Sequence, residues 1–215
     1  MTEITEKQPV SVDFPIVRKT PQAEFIVDIT TDPTLLDQVY DLRYRVFNLE
    51  LDEGLATSRE TQRDRDEYDA HCEHLVVIDK STNCVVGTYR MMRAEKARNN
   101  IGFYAETEFN LSKIYAQLPN AAEIGRCCID AGYRSGLVMN MLWYGLGLYM
   151  EKYNISHLFG CTSLNKGDTG EQASLIYQVC KETGALVSDD IHITPQPGYE
   201  VKHFENTIVL PTISG

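Results

Sequence analysis

The segment 137–153 constrains the fold of this chain more than any other, because it is apolar around nearly the whole circumference of the helix it predicts. A helix of that kind has to be buried, either in a protein core or in a membrane. Its most apolar part, 137–150, is too short and too interrupted to span a bilayer. The chain must therefore supply other elements that cover this helix on several sides.

The remaining elements alternate in the order β-α-ββ-β-α-β-α-ββ, which is typical of a mixed α/β domain. The first helix is predicted to begin at Pro33, with Asp32 as its N-cap, and to continue through Val46. Another helix is predicted over 170–183. Apolar or alternating runs predict strands at 24–30, 74–79, 84–93, 123–129, 156–162, 185–194 and 199–210.

Three segments carry no clear periodicity. Residues 1–23 are polar and contain three prolines, so they predict an extended N-terminal arm before a single domain over 24–215. Residues 51–72 are highly charged and predict a long loop, and loops of that length often serve a function. Residues 94–121 predict irregular structure with a short helix at 111–117.

Composition excludes several classes of function. A chain of 215 residues can bury a core without disulfide or metal staples. Its net charge of −11 argues against general binding to nucleic acid. The six cysteines include no CxxC pair, and the N-terminus lacks the apolar core of a secretory signal. We expect reduced thiols and a cytoplasmic location, with peripheral contact to the inner membrane left open.

The predicted first helix places a charge on its apolar stripe. Arg43 lies one turn from Val39 and from Phe47, so its guanidinium needs a carboxylate if it is buried. Carboxylates are available on the following loop at 64, 66 and 69 and on the strand at Glu123. Packing of the Arg43 stem with its head in solvent is the alternative.

The segment 123–126 (EIGR) carries charges at both ends of a short apolar strand. Strand alternation would place Glu123 with Gly125 on one face and Ile124 with Arg126 on the other. The strand leads through a turn containing Arg134 into the apolar helix, whose N-terminus can bind an anion. This arrangement suits a phosphate-bearing carrier held beside a general base, and structural ion pairs explain it equally well.

Other chemistries fit the sequence poorly. The acidic segment 64–74 lacks the glycine and the final glutamate of a calcium loop and lacks a second pair of zinc ligands, so we expect no metal site. His74 and Asp79 match the H-x4-D pattern of glycerolipid acyltransferases, but on a strand they would face opposite sides. The chain contains no G-x-S-x-G, Walker or G-x-G-x-x-G motif.

Several short blocks together resemble the GNAT acyltransferase fold. Their order is similar to that in acyl-homoserine-lactone synthases, and still more similar to that in the hemolysin-like ornithine/glycine N-acyltransferases and the long-chain N-acyl amino acid synthases. The resemblance covers about 25–180. The blocks are 42–47 (LRYRVF), 66–69 (DEYD), 86–90 (VGTYR) and 123–126 (EIGR), extended by His74-Leu75, Phe103-Tyr104, Glu108-Phe109, Leu142-Trp143 and Phe159-Gly160-Cys161.

The resemblance implies an α/β, GNAT-like fold with a mixed, mostly antiparallel central sheet flanked by helices. It implies transfer of a fatty acyl group from a thioester to an amine, with Glu123 near the amine and Arg126 as a second catalytic residue. The implied substrate-binding residues are Arg43, Asp66, Asp69, His74, Arg90 and Trp143. The implied phosphopantetheine-binding residues are Ile129, Arg134, Ser135 and Gly136.

The turn 134–139 (RSGLVM) departs from the usual GNAT pyrophosphate loop because it has no second glycine. We therefore expect acyl carrier protein rather than free coenzyme A as the donor, with acyl-phosphopantetheine as a co-substrate and no permanently bound cofactor. The acceptor is a small amine or amino acid. An acidic carrier needs a local basic surface, for which the candidates are Arg90, Arg93, Lys96 and Arg98.

Two rival functions stay open on the sequence. One is an acyl-homoserine-lactone synthase that uses S-adenosylmethionine. The other is a non-catalytic protein that binds acyl carrier protein or lipid. A covalent route through Cys127 or Cys128, which lie beside Arg126, is also open, although the sequence offers no adjacent histidine base.

Overall fold

The computed structural model describes residues 13–20, 23–162, 171–184 and 193–199. These residues group into two compact units, the first within 1–104 and 120–160 and the second within 105–119 and 161–215. The predicted division into an arm over 1–23 and a single domain over 24–215 stays a prediction. Residues 16–19 of that arm form a strand, so part of it belongs to the sheet of the first unit.

The described strands form one large sheet in the first unit and a short pair in the second. The large sheet has the order β1-β2-β3-β4-β6-β7, and only the β6–β7 pair is parallel. This confirms the predicted mixed, mostly antiparallel sheet. The strands are β1 (Ile16–Lys19), β2 (Glu24–Thr30), β3 (Glu73–Asp79), β4 (Cys84–Arg93), β5 (Phe109–Asn110), β6 (Ala121–Ile129), β7 (His157–Phe159) and β8 (Thr194–Pro195).

The described α-helices are α1 (Pro33–Arg43), α2 (Ser58–Thr61), α3 (Ala94–Asn99), α4 (Ser112–Gln117), α5 (Leu137–Lys152) and α6 (Glu171–Glu182). Shorter irregular helices are a π-helix at Tyr44–Glu50 and 3-10 turns at Glu67–His71, Tyr104–Thr107 and Ala131–Tyr133. In the second unit, β5 pairs antiparallel with β8. The short helices in 58–61, 67–71 and 94–99 were not predicted from the sequence.

The start of α1 follows its sequence signals. The Asp32 side chain accepts hydrogen bonds from the backbone N–H groups of Thr34 and Leu35, and Pro33 occupies the first helical position. The predicted continuation to Val46 takes a different form, because the chain widens into the π-helix after Arg43. There the N–H of Leu51 bonds to the carbonyl of Val46, five residues earlier.

The sheet is covered on both faces. One face packs against α5 through a core that includes Val27, Leu75, Met91 and Leu142. The other packs against α1 through residues that include Val39, Leu42, Val76 and Ile78. Each strand therefore contributes alternate side chains to the two layers. No helix among residues 13–20, 23–162, 171–184 and 193–199 has the length and apolarity that a membrane crossing needs.

Helix α5 is less enclosed than its composition predicts. Val138, Leu142, Leu146 and Tyr149 are buried against the sheet. Its opposite side carries Trp143 and Tyr144, which remain exposed in the described part of the chain. Two C-terminal strands were predicted, at 185–194 and 199–210. Within them the described residues contain only the start of the strand Thr194–Pro195, and 185–192 and 200–210 lie outside the described residues.

Two glycines of α5 provide a matched test of this packing. A Cβ at Gly145 would lie 2.7 Å from Leu75 Cδ1 and 3.0 Å from Val27 Cγ1, whereas a Cβ at Gly147 would have nothing within 4 Å. We expect Gly145→Ala to lower the free energy of unfolding by about 1–3 kcal/mol through overpacking. We expect Gly147→Ala to raise it by about 0.5–1 kcal/mol through helix propensity. Urea denaturation followed by circular dichroism measures both, and equal effects would contradict the packing described here.

Candidate active site

Strand β6 changes its pairing in the middle. Its first residues pair in parallel with β7, and within the described chain this pairing ends at Glu123 opposite Phe159. Gly160 follows so closely that a Cβ there would lie 2.2 Å from the carbonyl oxygen of Ile124. Beyond this point no described strand lies beside that edge of β6. On that side, the backbone groups of β6 beyond Ile124 have no strand partner among the described residues.

A β-bulge lies in the same part of β6. Thr88 pairs with Cys128 and Arg90 pairs with Gly125, so Arg126 and Cys127 together oppose Tyr89 alone. Arg126 has a φ of 48°, in the left-handed region that non-glycine residues rarely occupy.

The bulge overturns the predicted alternation of side chains. Ile124 and Cys127 both pack against the α5 core although they are three residues apart, which strict alternation does not permit. Arg126 instead reaches the α1 face, where its guanidinium carbon lies 5.5 Å from the centre of the Phe47 ring. The prediction that Arg126 shares a face with Ile124 was therefore wrong, because the bulge inserts one extra residue.

Glu123 lies on the regularly paired part of β6, three residues before Arg126. Its neighbours Ala122 and Ile124 face the α5 core, so alternation directs Glu123 toward the α1 face. The side chain is 7% exposed, and its Oε2 accepts a hydrogen bond of 2.8 Å from the backbone N–H of Tyr104. A nearly buried carboxylate thus sits where the β6–β7 pairing ends.

A buried ion cluster fills the α1 face beside β6. Arg43 donates from Nε to Asp64 Oδ1 at 2.9 Å and binds both oxygens of Asp69 at 2.7 and 3.2 Å. Arg90 donates to Asp66 at 2.6 Å and to Asp69 at 3.2 Å. Asp69 also accepts the backbone N–H of Asp66, and Asp66 caps the following 3-10 turn. The cluster therefore fixes the loop 64–71 against the sheet.

The charges of this cluster stabilise each other. Burial alone would raise the pKa of Asp69, but Arg43 and Arg90 outweigh burial and hold that pKa well below its usual range. Burial would likewise lower the pKa of Arg43, and the carboxylates of Asp69 and Asp64 raise it instead. Arg43 and Asp69 are therefore both charged at neutral pH. The side chains of Arg43, Asp64 and Asp69 have no exposed surface, so these residues form the buried side of the site.

His74 is buried next to the same cluster. Its ring packs edge-on against Tyr40 at 6.0 Å, and its Nε2 is 3.8 Å from Asp69 Oδ1. Burial lowers the pKa of His74 to about 4, so the imidazole is neutral at pH 7. Asp79 bonds instead to Ser81 and Tyr133, which keeps it apart from His74 as the strand geometry predicts.

The turn before α5 gathers the predicted phosphopantetheine residues. Arg134 donates from Nε to the carbonyl of Ile129 at 3.0 Å and from its terminal nitrogen to Glu50 at 2.6 Å. Gly136 has a φ of 92°, a conformation that favours glycine, and forms the N-cap of α5. The first turn of a helix leaves backbone N–H groups free for an anion, and Ser135 and Gly136 lead directly into it.

Trp143 lies on the opposite face of the sheet from the ion cluster. It is 53% exposed on α5, and its ring meets Tyr89 at 6.3 Å. The Tyr89 hydroxyl in turn hydrogen-bonds to Cys127 at the bulge. The structure therefore brings Arg43, Asp66, Asp69, His74, Arg90 and Arg126 together and places Trp143 apart from them.

The cysteines near the bulge are protonated thiols at neutral pH. Burial raises the pKa of both Cys127 and Cys128. Burial also raises the pKa of Cys72 to about 12, despite the nearby Arg90. A thiolate is the nucleophilic form of cysteine, so this environment does not activate any of the three.

The predicted basic docking surface needs correction. Arg90 is buried in the ion cluster and cannot meet a partner. Arg93 donates to Glu73 at 3.2 Å, and Lys96 lies 3.4 Å from the same carboxylate. Glu73 also accepts the hydroxyl of the buried Tyr149. These cations therefore neutralise an internal acid, which adjacency in the sequence does not reveal.

Two contributors to the site had no role assigned from the sequence. Asp64 was one of several carboxylates available to Arg43, and the structure makes it a direct partner. Tyr104 lies in the Phe103-Tyr104 block of the resemblance, and its backbone N–H holds Glu123. The signal for Asp64 was the alternation of arginine and aspartate over 63–66. A backbone donor such as that of Tyr104 leaves no signal in residue identity.

Residues 42–144 match the family model described as acetyltransferase (GNAT) domain. An L-ornithine N(alpha)-acyltransferase of Brucella abortus is 32% identical over 168 residues, which are 73% of this chain and 60% of the relative. One of Agrobacterium fabrum is 37% identical over 136 residues, which are 60% of this chain and 46% of the relative. The matched part thus spans about half the length of these relatives.

Solved structures give weaker matches. The AHL synthase LasI has a TM-score of 0.47 and 20% identity over 72% of this chain and 78% of its own. A putative N-acetyltransferase from Lactobacillus plantarum has a TM-score of 0.46 and 18% identity over 73% of this chain and 82% of its own. Over 42–144 the chain is similar to GNAT acetyltransferases, and over a longer stretch it is similar to the ornithine acyltransferases, which confirms the resemblance seen in the sequence.

The ion cluster generates a stability prediction. Asp69→Asn leaves Arg43 and Arg90 short of one buried counter-charge, so we expect the free energy of unfolding to fall by about 3–5 kcal/mol. The control is Asp37→Asn, which removes an exposed partner of Arg63 and should cost less than about 1 kcal/mol. Guanidinium denaturation compares the two variants with the unmodified chain. Similar losses in both would show that the buried cluster does not hold the fold together.

Proposed function

We propose that this chain, which is similar to GNAT acetyltransferases over 42–144, is an N-acyltransferase that moves a fatty acyl group from a phosphopantetheine thioester to the α-amine of an amino acid. One observation carries the proposal: Glu123 lies at the point where β6 loses its neighbour β7. A strand edge open to an extended thioester arm and a carboxylate suited to accept a proton thus occur together.

The chemistry requires a base near the amine. An amino acid carries an ammonium at neutral pH, and this group must lose a proton before its nitrogen can attack the thioester carbonyl. Glu123 accepts that proton, directly or through a water molecule. The C–N bond then forms, the C–S bond breaks, and the thiol of phosphopantetheine leaves with a proton. The backbone N–H of Tyr104 holds the Glu123 carboxylate during these steps.

Transfer is direct, without an acyl-enzyme. The raised pKa values of Cys127 and Cys128 keep both thiols protonated. His74, whose pKa is lowered to about 4, is buried, and neither of its ring nitrogens forms a hydrogen bond to a cysteine among the described residues. A covalent route needs an activated nucleophile beside a base. The described residues around the bulge therefore favour attack by the amine itself.

We take ornithine as the first acceptor to test, because the matched relatives are described as L-ornithine N(alpha)-acyltransferases. Arg43, Asp66, Asp69, His74 and Arg90 act in this proposal as a framework that positions the site. Four of these side chains are almost completely buried, and Asp66 is 15% exposed. Trp143 lies on the α5 side of the sheet, apart from these residues, and has no role in binding the amine in this proposal.

The donor is proposed to be acyl carrier protein. The turn before α5 offers a single glycine, and the guanidinium of Arg134 is already bonded to Ile129 and Glu50. A pyrophosphate needs several close donors, whereas one phosphate needs fewer. Helix α5 begins at this turn and supplies the N-terminal N–H groups for that phosphate.

The donor preference is measured with one acyl chain presented on two carriers. We expect kcat/KM to be at least about tenfold higher with acyl carrier protein than with coenzyme A, a difference of about 1.4 kcal/mol. The assay uses ornithine as acceptor and mass spectrometry of the amide product. Equal or better use of coenzyme A would overturn the donor assignment and leave the transfer reaction in place.

The role of Glu123 is measured by Glu123→Gln. Glutamine keeps an oxygen that can accept the N–H of Tyr104 but cannot take a proton from the ammonium. We expect kcat to fall about 100- to 10,000-fold with little change in stability. The matched control is Glu151→Gln on the exposed side of α5, which should leave the rate unchanged.

Binding of acyl carrier protein to the Glu123→Gln variant completes this test. Retained binding with lost turnover is the result expected for a catalytic base. Full activity of the variant would remove Glu123 from the mechanism. A lactone as the product of the unmodified chain supplied with S-adenosylmethionine would replace the proposal with the homoserine-lactone synthase alternative.

A further inference from the structure

Arg126 differs from Arg43 and Arg90 in the hydrogen bonds that its guanidinium N–H groups form. Arg43 and Arg90 each make short hydrogen bonds to carboxylates. The nearest carboxylate oxygens to Arg126 are Asp64 Oδ1 at 3.6 Å and Asp66 Oδ2 at 3.9 Å. Among the described residues, its guanidinium therefore forms no hydrogen bond within 3.5 Å.

This guanidinium is also largely withdrawn from water. Its side chain is 17% exposed, and the Phe47 ring lies on one side of it. A charged group that is poorly hydrated and has unused hydrogen-bond donors is strongly stabilised when an anion binds to it. The planar fork of arginine matches the two oxygens of a carboxylate, so the ligand class that fits best is a carboxylate.

Arg126 occupies this position with an unfavourable backbone conformation. A non-glycine residue in the left-handed region is strained, and it persists where the surrounding structure requires it. The preceding Gly125 leaves open space, since a Cβ there would have nothing within 4 Å. The bulge therefore presents an arginine with open donors beside an open position of the strand.

Glu123 and Arg126 face the same side of β6 because of the bulge. An α-amino acid carries its amine and its carboxylate on one carbon, so it needs a base and an anion receptor close together. Glu123 can serve the amine and Arg126 the carboxylate. Regular alternation would have separated the two groups across the sheet.

We propose that Arg126 binds the carboxylate of the acceptor and thereby selects amino acids over amines that lack a carboxylate. This inference rests on the proposed function and assigns one residue to substrate specificity. The competing explanation is that Arg126 only completes the ion cluster. Asp64 supports that explanation. Its Oδ2 is buried and has no hydrogen-bond partner among the described residues, so a nearby arginine would stabilise its charge.

The test compares ornithine with putrescine, which has the same chain and amines but no carboxylate. We expect the unmodified chain to favour ornithine at least about 100-fold in kcat/KM, since a site built to bind a polar group strongly rejects analogues without it. Arg126→Gln should reduce this ratio to below about tenfold, mainly because kcat/KM for ornithine falls while kcat/KM for putrescine is retained. Arg126→Lys should fall between the two because it keeps the charge without the fork.

Arg59→Gln is the matched control, because Arg59 is an exposed arginine that pairs with Asp52. It should leave the ratio unchanged. An unchanged ratio in Arg126→Gln together with a lower free energy of unfolding would overturn the proposal and assign Arg126 to the ion cluster alone.

Calorimetric titration without a donor separates this inference from the transfer reaction. The unmodified chain should bind ornithine more tightly than putrescine, and Arg126→Gln should abolish the difference. If the chain transfers no acyl group to either compound but shows this binding pattern, the proposed function fails and the carboxylate site stands. If transfer occurs and the binding difference survives in Arg126→Gln, the carboxylate site fails and the proposed function stands.

Discussion

The buried cluster of Arg43, Asp69 and Arg90 is the interaction on which the rest of the site depends. It joins the end of α1, the loop 64–71 and strand β4 at a place without solvent. Buried charges are expensive unless each finds a well-placed partner, so the cluster makes sense only as a complete set. Once it is formed, Asp64 and Asp66 are held where Arg126 reaches toward them. The charged loop thereby becomes a fixed wall of the site.

Strand β6 carries Glu123 and Arg126, the two residues that have roles in the proposed reaction. It pairs with β4 along one edge, while along the other edge its pairing with β7 ends at Glu123 within the described chain, and the bulge follows at Arg126 and Cys127. A regular strand would present either the carboxylate or the guanidinium to the α1 face. The extra residue presents both Glu123 and Arg126, at the point where the strand edge opens. One local irregularity thus underlies both the proposed thioester site and the proposed recognition of an amino acid.

Much of this fold follows from local sequence signals. The Asp32–Pro33 helix start, the hairpin of β3 and β4 and the limits of α5 are set by caps, alternation and apolar periodicity, which act over short distances. The need of Arg43 for a carboxylate was also predictable from its apolar stripe. The bulge was not predicted, because Gly125 allows an irregularity without fixing its position, and the conformation of Arg126 depends on the pairing of β6 with β4. The burial of Arg90 and the pairing of Lys96 with Glu73 depend equally on contacts between distant segments.

In the proposed reaction, a thioester arm and an amino acid meet on the α1 face of β6, beside Glu123 and Arg126. The decisive experiment is a crystal structure with a non-hydrolysable acyl-phosphopantetheine analogue and ornithine. We expect pantetheine along the β6 edge beyond Glu123, the amine within hydrogen-bond reach of the Glu123 carboxylate, and the substrate carboxylate on Arg126. An analogue bound away from β6, or an amine held on the α5 face of the sheet, would contradict it.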